Sequence, residues 1–323
     1  MEPPMSVTPD DVTNAYRWLL GREPDEKGLT AWLGTDSRDD LRRAFMVSPE
    51  FRRTASELPP LPSAGPLPRL RTANEIQWQA DAATEAALAA HIQRTWTRLG
   101  EEKPHWSVIS ADRFLPENIC EYRTLFYESG AHEVDLIMNI LQGNGIDAAS
   151  IRSVVEYGCG VGRVTPHLAA KFPRVAAIDI SDSHLVMARQ ACAGRPGIGF
   201  KIARMPEFGM AEPFDLWFSY IVLQHNPPPI IARILTRAFT MLARGGVAIF
   251  QVPTWCNNYR FQIADYLASR PADATIEVHC LPQHVIFQLA HQAGCIPLEV
   301  REDSAMDPPA WESHVFAFRK IGG

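Results

Sequence analysis

The sequence predicts an α/β fold, a mostly parallel sheet wrapped by helices, with a smaller all-helical part in front of it. Three observations predict this. From Ser153 onward, short β-branched and aromatic runs alternate with helical periods, the pattern of right-handed βαβ units. Gly158, Gly160 and Gly162 stand at alternate positions between the first of those runs and the helix after it, where such folds form ligand loops. Ten of the 26 prolines fall in the first 68 of 323 residues, so the front of the chain is built differently from the rest.

Thr8-Pro9-Asp10-Asp11 combines an N-cap, a proline at the first helical position and an acid at the third, and so opens a helix. Val12, Ala15, Tyr16, Leu19 and Leu20 continue it at helical spacing, and Gly21 stands where a left-handed stop is expected. A second helix is predicted from Ser37, carrying Leu41, Phe45 and Met46, to complete a helical module over residues 1–56. Residues 57–73 are a linker, with five prolines in positions 57–71 that favour an extended, semi-rigid spacer. An alanine-rich helix from Asn74, with Leu88, Ile92, Trp96 and Leu99 on one stripe, is followed by helices near 117–129 and 132–142. Residues 74–150 are therefore a candidate cap over an active site.

Residues 151–323 form the main domain, with strands predicted at 153–157, 175–179, 198–203, 214–220 and 247–252. Helices at 164–172, 182–193 and 229–243 alternate with them. The tail reads as a helix at 283–293 and strands at 297–302 and 312–319; two consecutive strands predict an antiparallel partner at the sheet edge.

Composition excludes several classes of function. Residues 1–150 carry 15 Lys and Arg against 23 Asp and Glu, and residues 151–323 carry 16 against 14. Neither half supplies the basic stripe that a phosphate backbone requires, so nucleic acid is not an expected partner. The six cysteines show no CxxC and no short repeated spacing, which predicts reduced thiols in a cytoplasmic protein. The opening residues have no basic region leading into an apolar run, and no stretch reaches 18 apolar residues. Neither a signal peptide nor a membrane span is expected. No Asp, Glu and His stand at metal-ligand spacing, so no metal site is expected, and association between copies of the chain is left open.

The stretch Val154-Val155-Glu156-Tyr157-Gly158-Cys159-Gly160-Val161-Gly162-Arg163 carries the most chemistry. Alternate glycines allow a tight turn and close backbone approach by a ligand, and the helix start beyond offers unpaired N–H groups to an anion. Asp179, 21 residues after Gly158, closes the second strand, where a carboxylate can accept from both hydroxyls of a ribose. Together these point to a nucleoside cofactor. A dinucleotide fingerprint needs Gly or Ala at the position of Arg163, so a smaller anion than pyrophosphate, such as an amino-acid carboxylate, fits better.

At these residues the sequence resembles the class I S-adenosylmethionine-dependent methyltransferases, over roughly 104–320. The resemblance is carried by Glu156-Tyr157-Gly158-Cys159-Gly160-Val161-Gly162, by Asp179 in Ala177-Ile178-Asp179-Ile180-Ser181, by Phe214-Asp215-Leu216-Trp217-Phe218-Ser219 and by Leu242-Ala243-Arg244-Gly245-Gly246. It implies a Rossmann-like seven-stranded sheet of order 3-2-1-4-5-7-6 with the last strand antiparallel, and S-adenosyl-L-methionine as cofactor. It also implies roles: Gly158, Gly160 and Gly162 along the methionine moiety, Glu156 ordering the loop, Asp179 on the ribose, and Ile180 against the adenine. Ala203 to Met205 would form the adenine edge, and Tyr157, Arg163 and Ser219 complete the expected cofactor contacts. The chain departs from the pattern at Ala203-Arg204, where many relatives carry an acid. In front, Tyr16-Arg17-Trp18-Leu19-Leu20-Gly21-Arg22-Glu23-Pro24-Asp25, with Gly28-Leu29, Trp32-Leu33 and Ser48-Pro49-Glu50-Phe51, resembles over residues 8–56 a short helical domain of bacterial proteins, some linked to surface polysaccharides.

Methyl transfer is an in-line displacement, so a base matters where the acceptor is a hydroxyl. His225, just after the fourth strand, is the candidate catalytic base; a histidine capping the next helix is the alternative. Asn226-Pro227-Pro228 is offset from the turn used by amino-methylating nucleic-acid enzymes and is followed by Pro229 in place of an aromatic, and Asp307-Pro308-Pro309 is a second decoy. Gln224 and Gln251 are expected as neutral donors near the site. The long connection over 253–282 carries Trp255, Tyr259, Arg260, Phe261, Tyr266 and His279, a mixture suited to stacking on and hydrogen bonding to a sugar. Phe261 and Tyr266 also read as the buried face of a short lid helix. The sequence thus predicts O-methylation of a sugar hydroxyl of a bacterial glycan or glycoconjugate. Methylation of a small natural product or metabolite is the alternative, and a non-catalytic binding protein on the same fold is a third reading.

Overall fold

The computed structural model describes residues 7–20, 22–57, 73–269, 275–303 and 310–322. Gly21, nearly all of the predicted linker and the Asp307-Pro308-Pro309 triplet lie outside the described residues. The chain divides into two compact units, residues 1–72 and 73–323. No helix among the described residues is long and apolar enough to cross a membrane.

The first unit is helical. α1 (Pro9–Ala15) starts at the predicted cap: Thr8 Oγ1 accepts from the Asp11 N–H at 3.3 Å, and the Asp11 carboxylate accepts from the Thr8 N–H at 3.0 Å. A π-helical turn, Tyr16–Leu20, continues it. α2 (Glu26–Trp32) is a helix the spacing does not predict, because Gly28 interrupts its propensity. Packing requires that glycine, since a Cβ there would stand 2.2 Å from the Tyr16 hydroxyl. α3 (Arg38–Val47) and α4 (Pro49–Glu57) complete the unit. Phe45 is its centre, with the rings of Tyr16 and Trp32 at 5.0 and 4.8 Å.

The second unit opens with β1 (Glu75–Ile76), α5 (Ala82–Glu102), α6 (Pro104–Val108), α7 (Ile119–Glu128) and α8 (Ala131–Gly143). Strands β2 (Val154–Tyr157), β3 (Val175–Asp179), β4 (Ile198–Ile202), β5 (Phe214–Ser219) and β6 (Leu242–Cys256) are parallel, and α9 (Thr165–Ala169), α10 (Asp182–Ala191) and α11 (Pro228–Met241) lie between them in sequence. After β6 come β7 (Arg260–Phe261), α12 (Ile263–Ser269), α13 (Gln283–Gln292), β8 (Cys295–Asp303) and β9 (Trp311–Lys320). The sheet order is β4-β3-β2-β5-β6-β9-β8, with β9 antiparallel to both neighbours, which is the predicted 3-2-1-4-5-7-6 arrangement.

Side-chain alternation assigns the strands to two cores. Val154, Leu216, Phe218, Val247 and Ile249 face one, with α8 and Leu168 of α9. Val155, Trp217, Ala248 and Phe250 face the other, with α11 and α13. Two expectations change here. α8 is a layer helix of the sheet, not a cap, because Val134, Ile137, Ile140 and Leu141 all bury against that core. The segment from Asn74 is extended rather than helical, and α5 begins only at Ala82 behind its Asp81 cap. The Asn74 side chain donates to the carbonyls of Cys256 (2.7 Å) and Tyr259 (2.9 Å) and accepts from the Cys256 N–H (3.1 Å). β1 then pairs in parallel with β7, so the predicted long loop over 253–282 is pinned into short regular pieces.

Lys320 closes the second unit. Its buried ammonium donates to the Ala293 carbonyl at 2.6 Å and the Phe239 carbonyl at 3.1 Å, at the C-terminal ends of α13 and α11, where a cation complements both helix dipoles. Lys320→Met keeps the aliphatic length and removes both bonds. Chemical denaturation should show a loss of about 2 to 3 kcal/mol, the scale of charge-assisted bonds; a change within about 0.5 kcal/mol, as at ordinary surface sites, would refute the clamp.

Candidate active site

The site is built on the loop that leaves β2. The Gly158 and Cys159 N–H groups both donate to the Ile178 carbonyl, at 2.8 and 3.0 Å, which folds the loop back over β3. Gly160 takes a left-handed φ of 53°, and a Cβ on it would stand 2.6 Å from Val108 Cγ2. This close approach lets α6 lie on the loop. Gly162, with φ of 81°, serves a different purpose: a Cβ there would stand 2.9 Å from the Ala188 backbone, so it lets the loop pack on α10.

The loop and the carboxyl ends of β2, β3 and β5 open into a cavity of about 340 Å³. This volume is within the range of small-molecule sites, roughly 300–1,000 Å³. Of the predicted residues, Glu156, Tyr157, Gly158, Gly160, Arg163, Asp179, Ile180 and His225 line it. Gly162, Met205 and Ser219 do not. Met205 packs against the main core, and the Ser219 hydroxyl donates to the Tyr157 carbonyl at 3.0 Å.

None of the predicted substrate residues lines the cavity. Gln251, fully buried, donates to Gln224 Oε1 (3.0 Å) and Ser313 Oγ (2.6 Å) and accepts from the Ile221 N–H (3.0 Å), so the two glutamines satisfy each other inside the fold. Trp255 lies on β6 opposite Glu312. The Tyr259 hydroxyl bonds His279 Nδ1 at 2.7 Å, and exposed Arg260 pairs with Glu75 (3.8 Å) and Asp265 (3.6 Å). The reason is the length of β6: it runs on to Cys256, and the Asn74 clamp holds the next residues of the chain apart from the cavity.

Other cavity residues have no clear signal in the sequence. Ser107, Val108 and Ile109 come from α6 and its end, and Ser129, His132 and Glu133 come from the turn between α7 and α8 and the first turn of α8. That turn sits on the loop: a Cβ on Gly130 would stand 2.2 Å from the Arg163 carbonyl. His184 is legible in retrospect, because the Ser181 cap of α10 turns its first helical residues toward the end of β3.

The charges are mutually arranged. Asp179 is buried; its Oδ2 accepts from the Gly160 N–H (2.8 Å) and its Oδ1 from the Ser181 N–H (2.9 Å). The Arg163 guanidinium pairs with Glu133 and reaches Ser129 Oγ at 3.2 Å. Tyr220 is pushed up to about 12 by burial. The carbonyl of Glu277 can only accept, so His225 Nδ1 carries the proton of their 2.8 Å bond, and Nε2 is the lone-pair nitrogen of the neutral ring. Burial pulls His225 down to about 4, against which the Glu277 bond acts.

These residues fit S-adenosylmethionine at its ribose end. The Ser107 hydroxyl donates to the Pro104 carbonyl at 2.9 Å, so His184 Nε2 must donate to Ser107 Oγ at 2.9 Å. His184 Nδ1, also buried, has no hydrogen-bond partner among the described residues and lies 3.6 Å from Asp179 Oδ1. Two adjacent polar groups at the end of β3 suit hydrogen bonding to a vicinal diol. Ala203, Arg204 and Met205 are not among the cavity residues, so the expected adenine edge is not formed by them.

Residues 154–246 match the family model of a methyltransferase domain. Trans-aconitate 2-methyltransferase of Deinococcus radiodurans is 33% identical over 100 residues, which are 31% of this chain and 37% of that enzyme. The enzyme of the same name from Azoarcus is 36% identical over 109 residues, 33% of this chain and 40% of that one. The chain thus spans less than half the length of these curated relatives. Among solved structures, a magnesium protoporphyrin IX methyltransferase from Synechocystis with bound SAH aligns with TM-score 0.50 over 72% of this chain and 99% of that one, at 15% identity, a likeness of fold.

Glu156 offers a direct check of the geometry. It is buried and accepts from the Thr165 hydroxyl at 2.6 Å, and burial pushes its carboxyl up from 4.5 to about 8. The folded chain therefore holds a proton that the unfolded chain has released, and stability falls as pH rises from about 4.5 through about 8. Glu156→Gln removes this dependence. Denaturation curves should show the variant gaining on the wild type between pH 5 and 8.5, and parallel pH dependences would contradict the assignment. Residues 154–246, which match the methyltransferase-domain model, contain this glutamate, the glycine loop and Asp179.

Proposed function

We propose that the chain is an S-adenosylmethionine-dependent methyltransferase that O-methylates a hydroxyl on a small, uncharged acceptor, with His225 as the base. The observation that carries this reading is one cavity holding both the Asp179-bound glycine loop and a neutral imidazole. S-adenosylmethionine, when bound, supplies a methyl group on a positively charged sulfur, open to in-line displacement. Asp179, beside His184, would accept from its ribose hydroxyls, and the glycines would let its methionine moiety come close to the loop. Trp96, whose ring lies 5.2 Å from that of His225, and Val108 exclude water from the acceptor side.

His225 Nε2 accepts the hydrogen bond of the acceptor hydroxyl and takes its proton as the new C–O bond forms. A protonated ether is a strong acid, so an imidazole held at about 4 is basic enough to receive that proton. Arg163 is the one Lys or Arg side chain among the described cavity residues, and its charge is paired with Glu133, with only Nε unpartnered, so no second cation faces an acceptor bearing several carboxylates. This argues against carrying over the tricarboxylate in the relatives' name. Saccharide hydroxyls remain within the proposed class, and the resemblance of the front helices to glycan-linked proteins makes them the first to test.

Calorimetry with S-adenosylmethionine should show binding by the wild type and a loss of at least about tenfold for Asp179→Ala, the scale of one charge-assisted bond. Undiminished binding would exclude the site. Mass spectrometry of saccharides and uncharged metabolites should find a one-methyl increment; with that acceptor, His225→Ala should lower kcat by roughly 100-fold or more. Because the neutral base persists down to about pH 4, the rate should not fall between pH 7 and 5 on its account. Near-normal turnover by His225→Ala would remove the base, and absence of turnover with any acceptor would favour a non-catalytic role.

A further inference from the structure

A carboxylate, Glu277, is buried outside the cavity, on the segment between α12 and α13. Its Oε1 accepts from His91 Nε2 of α5 (3.1 Å) and from the Tyr266 hydroxyl of α12 (3.0 Å), and its Oε2 accepts from His279 Nε2 (3.2 Å). The Tyr259 hydroxyl donates to His279 Nδ1 at 2.7 Å and completes the cluster. Burial raises the Glu277 carboxyl, but the bonds from His279, His91 and Tyr266 outweigh it and hold the group ionised below its ordinary range. The main chain of the same segment reaches the site. The Glu277 carbonyl accepts from His225 Nδ1 at 2.8 Å, and the His279 N–H donates to the Gln224 carbonyl at 2.7 Å.

We infer that Glu277 is a positioning residue for His225: three side-chain bonds anchor it so that its own carbonyl holds the imidazole in the Nδ1–H form. The inference rests on the reading of His225 as the base. A neutral imidazole has two tautomers, and only one of them presents a lone pair at Nε2. The carbonyl selects that tautomer as long as it stays within hydrogen-bond reach of Nδ1. Without its anchored carboxylate the segment is free to shift, and a flip to Nε2–H would place a donor where the reaction needs an acceptor. The cluster thus fixes the ring's protonation pattern from outside the cavity.

Nuclear magnetic resonance of the full chain with 15N-labelled histidine tests this, with His225 assigned by the signal lost in His225→Asn. The wild type should show His225 as the single Nδ1–H tautomer. Glu277→Ala should lose the single-tautomer signature. S-adenosylhomocysteine binding, measured by calorimetry and expected within about twofold of wild type, reports that each variant is folded. If Glu277→Ala does not fold, Glu277→Asp, too short to reach all three donors, should show the same loss. A folded Ala or Asp variant that keeps the Nδ1–H signature overturns the inference. Turnover by His225→Ala decides the base separately, so the two readings fail independently.

Discussion

The carboxylate of Asp179 and the two backbone N–H groups it receives are the constraint on which the site depends. A buried charge needs donors, and this one finds them in the glycine loop and in the start of α10. Holding the Gly160 N–H toward β3 requires a left-handed backbone there, which in turn removes any side chain from the outer surface of the loop. Val108 occupies that space, and α6 is thereby placed over the mouth. The position of the helical segment in front of the sheet thus follows from how one carboxylate is satisfied at the end of a strand.

The His225 side of the cavity is assembled from more distant parts of the chain. His225 sits on a short turn after β5, but its ring is fixed by a carbonyl some fifty residues later and packed by a tryptophan on α5. The arginine beside the glycine loop is neutralised by a glutamate on α8. The two sides of the cavity therefore differ in construction. The glycine-loop side is local to the βαβ turns, while the His225 side depends on tertiary packing of helices whose sequences carry no chemical motif.

That difference explains what was legible in advance. Glu156, Gly158, Gly160 and Asp179 stand at fixed offsets from predicted strands, so this part of the cavity lining follows from pattern, and the sheet order from the family resemblance that those residues carry. Ser107, Glu133 and His132 could not be found this way, since a polar residue on an amphipathic helix looks the same whether it faces solvent or a cavity. Tyr259, Arg260 and His279, expected at the site, lie outside the cavity for another reason. Their composition suits a sugar site, but composition does not reveal that β6 runs on past the site or that Asn74 captures the chain beyond it. Gln224 and Gln251 were drawn toward the site by proximity in sequence, and in the fold they spend their hydrogen bonds on each other and on Ser313.

The Asn74 clamp has a consequence for where this chain can be divided. Its side chain makes three bonds to the backbone of Cys256 and Tyr259, and β1, directly after it, supplies the only strand neighbour of β7 among the described residues. A fragment cut at the first strand of the sheet would contain the whole methyltransferase motif set and still lack this fastening, together with α5 and α8, which cover opposite faces of that sheet. The smallest self-sufficient piece therefore begins ahead of Asn74, nearly eighty residues before the first recognisable motif.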